Sequence, residues 1–287
     1  MGMSDPILKY FADLIGEKLG IIYKPENYYQ LEARLKDIVR QAGFADVNEL
    51  FRKCKAKQLG QYETLLLDIA TNNETSFFRD PNVWRSLQKS VLDNDEFIAA
   101  HNNRLRVWCC AASYGQEPYT LAMILHDVQQ KRPGLHVSIL ATDISERALE
   151  YAKKGVYSQL QVQRGLPATH LIKYFTKGEN DANGLATWDL KPEIKRSVMF
   201  EKLNLLDDWS SRGPFDLILC RNLLIYQSTE NKQKIINQLY DVLGYGGYLL
   251  MGGTESLLGI KSKFKLKNSE GSLLYSKVYE AEEKIAS

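Results

Sequence analysis

Two carboxylates stand where apolar runs give way to polar turns. Arg106-Val-Trp-Cys-Cys-Ala-Ala112 leads into Ser-Tyr-Gly-Gln-Glu-Pro-Tyr119, which puts Glu117 just after a glycine turn. Val137-Ser-Ile-Leu-Ala-Thr-Asp143 ends in Asp143 itself. A glycine turn between strand and helix lets a ligand approach the backbone, and the helix start offers free N–H groups. The dinucleotide pattern G-x-G-x-x-G and the phosphate loop G-x-x-x-x-G-K-[ST] are both absent. Glu117 would repel a phosphate, so a cation suits this turn better. An acid at the next strand end can accept both hydroxyls of a ribose. Each acid also has a plainer reading: Glu117 as a helix-start glutamate, and Asp143 or Ser145 as the N-cap of the next helix. Together they point to a nucleoside with a positive charge, and S-adenosylmethionine has both parts.

Two further clusters carry polar groups. Asn72-Asn-Glu-Thr-Ser-Phe-Phe-Arg79 crowds polar residues against two phenylalanines; its plainer reading is a helix end with two core aromatics. Cys220-Arg-Asn-Leu-Leu-Ile-Tyr226 follows another apolar run, so Arg221 and Asn222 emerge at a strand end with Tyr226 four residues beyond Asn222. Tyr226 reads equally as a buried tyrosine with its hydroxyl satisfied. His101, His126, His136 and His170 fall in none of these clusters and read as structural or exposed. The cysteines Cys54, Cys109, Cys110 and Cys220 fit no metal or disulfide spacing. Three lie in apolar runs and read as buried, reduced thiols, which fits a cytoplasmic chain. No metal is expected.

Alternating strands and helices must hold these residues. After about residue 100 the apolar runs 106–112, 137–143 and 215–220 alternate with helical stretches at 118–130, 145–154 and 229–243, and the run 247–251 follows. That alternation predicts a parallel α/β sheet with its ligand at the carboxyl ends of the strands. Segments 264–267 and 273–279 read as a hairpin closing one sheet edge. The stretch from 155 to 196 breaks the pattern and reads as an insertion of the kind that chooses a partner. Residues 1 to about 90 read as helices only, with Asp5-Pro6 as cap and first helical residue, and Ile7, Phe11, Leu14 and Ile15 as a core stripe.

Composition narrows the classes. The chain has 287 residues, 44% of them apolar, and a formal net charge of +2. That balance disfavours a dedicated nucleic-acid binder. No apolar run reaches membrane-spanning length, and the N-terminus lacks the features of a signal peptide. Seven basic residues (Arg34, Lys36, Arg40, Arg52, Lys53, Lys55, Lys57) against three acids between 34 and 57 form a local excess that can steer toward an acidic helix; the plainer reading is a solvated face.

The segments TNNETSFFRD (71–80), AASYGQEPY (111–119), ATDISERALEYAKKGVY (141–157), FDLILCRNLLIY (215–226) and LGYGGYLLMGGTES (243–256) together resemble the chemoreceptor glutamate methyltransferase family (CheR-type), in its order and spacing. The resemblance implies a doubly wound, Rossmann-like methyltransferase domain (91–287) behind an all-α N-terminal domain (1–90), with a small β-subdomain inserted at about 155–197. It implies cofactor contacts by Asn73, Thr75 and Arg79 from the domain junction. Glu117 would hold the amino group, Asp143 the ribose, Asn204 and Leu205 the adenine, and Arg221 and Asn222 would complete the pocket. Arg79 and Tyr226 would position the reacting groups. Tyr114 and Gln116 depart from the family's frequent Thr and Glu, and Tyr114 is bulky enough to narrow the pocket mouth. The implied reaction esterifies receptor glutamates and leaves S-adenosylhomocysteine. A carboxylate with an ordinary pKa of about 4.3 is already ionised at neutral pH, so no general base is needed. The implied partner is the cytoplasmic helical domain of a chemoreceptor, in some members also its C-terminal peptide; nucleic acid and membrane insertion are not implied. A monomer is expected. The competing readings are a methyltransferase acting on nucleic acid or a small molecule, and a cofactor-binding protein without activity.

Overall fold

The computed structural model describes residues 4–57, 61–181, 184–269 and 272–278. Helix α1 (Asp5–Leu19) starts differently from the expectation: Ser4 is the extended N-cap, and Asp5 and Pro6 are the first two helical residues. Proline is tolerated there because first-turn N–H groups have no helical partner. The buried face of α1 runs Leu8, Phe11, Ala12, Ile15, Leu19, with Ile7 and Leu14 on its flank. Gly20 ends the helix at φ 70. Helices α2 (Tyr28–Ala42), α3 (Val47–Lys55) and α4 (Gln61–Ala70) pack on α1. Together they enclose an apolar cluster that includes Phe11, Leu31, Leu35 and Leu50.

The chain then changes sides. Phe77 is fully buried in the cluster under the sheet, edge-on to Tyr157 and Phe175. Burying such a ring stabilises by about 1.5–3 kcal/mol. Helix α5 (Pro81–Leu87) continues into a wider turn over Gln88–Leu92, and α6 (Asp95–Ala100) follows.

The large sheet is built from β1 (Arg104–Cys109), β2 (His136–Asp143), β6 (Val198–Lys202), β7 (Phe215–Cys220), β8 (Leu243–Met251), β9 (Lys265–Ser269) and β10 (Ser272–Ser276). Their order is β6-β2-β1-β7-β8-β10-β9. The first five run parallel, and β10 is antiparallel to both β8 and β9. The order reverses between β1 and β7, where open α/β sheets leave a ligand crevice. Helices α7 (Gln116–Lys131), α8 (Glu146–Lys154) and α12 (Thr229–Val242) are the crossovers. The expected hairpin is the β9–β10 pair; the last residue of its expected span, Tyr279, lies outside the described residues.

Between α8 and β6 sits the insertion. Its strands β3 (Val156–Ser158), β4 (Phe175–Asn180) and β5 (Ala186–Leu190) form an antiparallel sheet in the order β3-β5-β4. It also carries the short helices α9 (Gln159–Gln163), α10 (Ala168–Tyr174) and α11 (Pro192–Lys195), which the polar composition concealed. All four cysteines are free and buried.

Candidate active site

One pocket gathers the carboxyl ends of β1, β2, β6 and β7, the 71–79 segment, and the end of α1. Every site residue expected from sequence lines it: Asn73, Thr75, Arg79, Glu117, Asp143, Asn204, Leu205, Arg221, Asn222 and Tyr226.

Asp143 ties two turns together. Its Oδ2 accepts the Ser113 N–H at 2.8 Å and its Oδ1 accepts the Ser145 N–H at 2.9 Å. Each oxygen keeps a further lone pair, enough for a pair of hydroxyls. The helix cap is Ser145, which accepts the Ala148 N–H; Asp143 is therefore free of that duty. Burial pushes the Asp143 carboxyl above its ordinary value, and the N–H groups of Ser145 and Ser113 oppose that.

Glu117 and Arg221 form an ion pair, the arginine buried and the glutamate half-buried. Arg221 Nη1 donates to Glu117 Oε2 at 2.8 Å. Arg221 Nη2 donates to the Arg79 carbonyl at 2.9 Å and to Asp80 Oδ2 at 3.0 Å, and its guanidinium lies over the Trp84 ring. The Arg221 side chain is 0% exposed, so these contacts replace water. Burial raises the Glu117 carboxyl above its ordinary value, and Arg221 works against the rise. The pocket thus presents two carboxylates, Asp143 buried and Glu117 half-buried, the second already matched by a cation.

The helical segment supplies a third wall. Leu19 and Ile21 line the pocket. Gln227 Nε2 donates to the Leu19 carbonyl at 3.1 Å, the Ile22 N–H donates to the Tyr226 carbonyl at 3.1 Å, and Asn204 Nδ2 donates to the Lys18 carbonyl at 2.9 Å. The Asn204 amide is used structurally, since its oxygen also accepts the Leu206 N–H; what it offers a ligand is its backbone and its place beside Leu205. Asn73 Nδ2 donates to Thr71 Oγ1, and Arg79 Nη1 donates to the Glu74 carbonyl. Tyr226 is half-buried, and its hydroxyl accepts from Asn72 Nδ2 at 2.7 Å. Its own proton has no acceptor among the described residues.

Three expectations change. Tyr114 does not line the pocket; its ring packs edge-on to Tyr151. Arg34 is not part of a free basic face, because it donates to the carbonyls of Ala70 and Thr71 and so fixes the start of the 71–79 segment. Lys36 and Arg40 are exposed but paired along α2, with Glu32 and Asp37. Sequence reasoning also missed Leu19, Ile21 and Asp80. Only Asp80, adjoining the Phe-Phe-Arg motif, carried a local signal.

No histidine lines the pocket among the described residues; His101 faces Asp216, and His170 faces Asp127 and packs edge-on to Phe78. No cluster of metal-binding side chains is present among the described residues. No described helix is long and apolar enough to cross a membrane.

Residues 73–272 match the family model "CheR methyltransferase, SAM binding domain". The chain is 36% identical to a chemotaxis protein methyltransferase of Vibrio parahaemolyticus over 275 residues, which cover 95% of this chain and 97% of the relative. It is 34% identical to chemotaxis protein methyltransferase 1 of Pseudomonas aeruginosa over 279 residues, covering 96% and 99%. The matched span runs from Asn73 to Ser272, the first residue of β10, and takes in Glu117, Asp143, Arg221 and most of the pocket lining, and this chain belongs to the CheR methyltransferase family.

Proposed function

We propose that this chain transfers the methyl group of S-adenosylmethionine to glutamate side chains of a chemoreceptor, giving glutamate methyl esters and S-adenosylhomocysteine, in the cytoplasm. The observation that carries the reading is one pocket that holds the half-buried Glu117, the buried Asp143 and a half-buried Tyr226 whose proton is free to donate.

The residues fit the cofactor by the chemistry of their donor set. Glu117 beside Arg221 suits an ammonium together with a carboxylate, and Asp143 suits a ribose diol. Leu203, Leu205 and Leu206 supply apolar contact for a flat base. When bound, S-adenosylmethionine supplies an electrophilic methyl on a sulfonium. The protein's part is alignment and exclusion of water, which can be worth roughly 7–11 kcal/mol in favourable cases. Tyr226 orients the incoming carboxylate by donating to it, and Asn72 fixes the tyrosine from behind. Arg79, held through its carbonyl by Arg221 and Trp84, lends positive charge near the same carboxylate.

The division of labour follows the same reading. Residues 1 to about 90 form a helical unit that faces the receptor, 91–287 form the transferase unit, and the insertion at about 155–197 is a second partner surface. The partner is an acidic helical receptor domain, and the chain acts as a monomer.

The test supplies purified protein with S-adenosylmethionine and a receptor cytoplasmic domain. S-adenosylhomocysteine should form with the native glutamates, and not when they are changed to glutamine. Product formation on tRNA or DNA instead would support a nucleic-acid substrate, and binding without product would support a protein that only holds the cofactor.

A further inference from the structure

The turn after β7 carries Arg221, Asn222 and Tyr226, yet its shape is set by a residue about thirty positions downstream. Glu255 is 3% exposed. Its Oε2 accepts the N–H groups of Asn222 at 2.5 Å and Gly252 at 3.1 Å. Its Oε1 accepts those of Leu223 at 3.0 Å and Leu224 at 2.9 Å. Three consecutive amides therefore converge on one carboxylate just where the short 3-10 turn Leu224–Tyr226 begins. Asn222 stands at φ 55, in the left-handed region, and Leu223 is right-handed. Successive residues of opposite hand make a concavity of N–H groups that holds an anion. Here the protein supplies the anion itself. Gly252 completes the fit: a Cβ there would lie 2.7 Å from Glu255 Oε2 and 3.1 Å from the Asn222 nitrogen.

We infer that Glu255 is a positioning residue for methyl transfer, acting through Tyr226. By gathering the amides of 222–224 it fixes the course of the turn that delivers the Tyr226 hydroxyl to Asn72 and the pocket. Arg221 is held separately, by Glu117, Asp80 and the Arg79 carbonyl, so loss of Glu255 falls on Asn222–Tyr226 and not on the guanidinium. The inference rests on the proposed role of Tyr226.

Glu255→Gln keeps the volume but turns one acceptor into a donor facing N–H groups. Amide hydrogen exchange, S-adenosylhomocysteine titration and receptor methylation are measured on wild type and variant. In wild type the amides of 222–224 are protected; in the variant they exchange about tenfold faster or more, as local opening becomes easier. Cofactor Kd weakens modestly, through Asn222 in the pocket lining, while kcat falls about tenfold or more and by more than Kd does, the split expected for a group that acts chiefly on the transfer step. Combined with Tyr226→Phe, the loss in kcat is no larger than that of the more damaging single change, because both act on one element. Losses that multiply, wild-type kcat in Glu255→Gln, or unprotected amides in the wild type would each overturn the inference. If Glu255→Gln does not fold, Gly252→Ala displaces the same carboxylate from an ordinary backbone conformation and is held to the same outcomes. A wild-type protein that binds cofactor but methylates no receptor would defeat the receptor reading instead, and the exchange contrast alone would then decide whether Glu255 holds the turn.

Discussion

Asn72 and Tyr226 lie 154 positions apart in the chain, and their side chains meet at 2.7 Å. Asn72 follows the helical segment, and Tyr226 follows the strand that closes the ligand crevice. The amide nitrogen donates and the tyrosine oxygen accepts, so the phenolic proton is left pointing elsewhere. That polarity leaves Tyr226 able to donate to the carboxylate proposed as the methyl acceptor.

Removing the hydroxyl should therefore act on turnover. A hydrogen bond to a charged group is worth about 1.5–3 kcal/mol, so Tyr226→Phe is expected to lower kcat by roughly 10- to 100-fold at about 1.4 kcal/mol per decade. Cofactor Kd should stay near wild type. Asn72→Ala should lower kcat less, because water can take its place. Steady-state kinetics with titration of S-adenosylhomocysteine checks both, and unchanged turnover in Tyr226→Phe removes the tyrosine from the mechanism.

The buried acids give the pocket a pH dependence. Burial raises the carboxyls of both Glu117 and Asp143. A carboxyl raised in the folded state favours folding below its unfolded value, and that contribution is lost as pH climbs through the raised one. Without ligand, these two groups thus cost stability at neutral pH, the reverse of an ordinary salt-bridged acid. A cationic ligand needs both ionised and recovers that cost. The increase in Tm on adding S-adenosylmethionine should be larger at pH 7.5 than at pH 5. Asp143→Ala should weaken cofactor binding at the higher pH. An equal thermal shift at both pH values would remove the carboxylates from cofactor recognition.

The end of α1 should report on the pocket wall. Gly20 adopts φ 70, and a Cβ there would lie 2.0 Å from Gln227 Oε1 and 2.6 Å from Asn231 Nδ2. Gly20→Ala forces both side chains aside and breaks the Gln227–Leu19 contact, in addition to a left-handed alanine at roughly 1–2 kcal/mol. Gln227→Ala removes the same contact without straining residue 20. Both variants should bind cofactor more weakly than wild type by titration; native affinity in Gln227→Ala would mean that the α1 contact leaves the pocket wall unchanged.

Much of this was legible in sequence because it is local. An apolar run ending in Ser-Tyr-Gly or in Asp announces a strand edge, and Glu117, Asp143 and Arg221 sit within a few residues of such ends. What was not legible depends on distant partners. Gln227 reaches Leu19 across 208 positions, and Arg34 reaches Thr71 across 37. Neither leaves a spacing pattern, so Arg34 read as surface charge. Glu255 lay inside a quoted segment, but an acid that gathers backbone amides looks like any other acid until the fold is known. The helices of the insertion were hidden for another reason: they are only four to seven residues long, too short to show a period.

The charge proposed to face the receptor is narrower than composition suggested. Lys36 and Arg40 remain exposed, at 62% and 77% of their side-chain surface. Their ion pairs within α2 are of the kind worth about 0.2–1 kcal/mol and easily exchanged for a partner's acids. Reversing both to glutamate should raise KM for the receptor severalfold, more at low salt, with KM for cofactor unchanged. Equal receptor constants across salt concentrations would assign docking to another face.

The methyl group is proposed to end on a glutamate carboxylate. Wild-type protein is incubated with S-adenosylmethionine labelled in its methyl group and a receptor cytoplasmic domain, and the labelled receptor is then exposed to mild alkali. A methyl ester releases its label as methanol, so nearly all of the label should be released. Label that survives alkali on the receptor, or that appears only on nucleic acid, would contradict it.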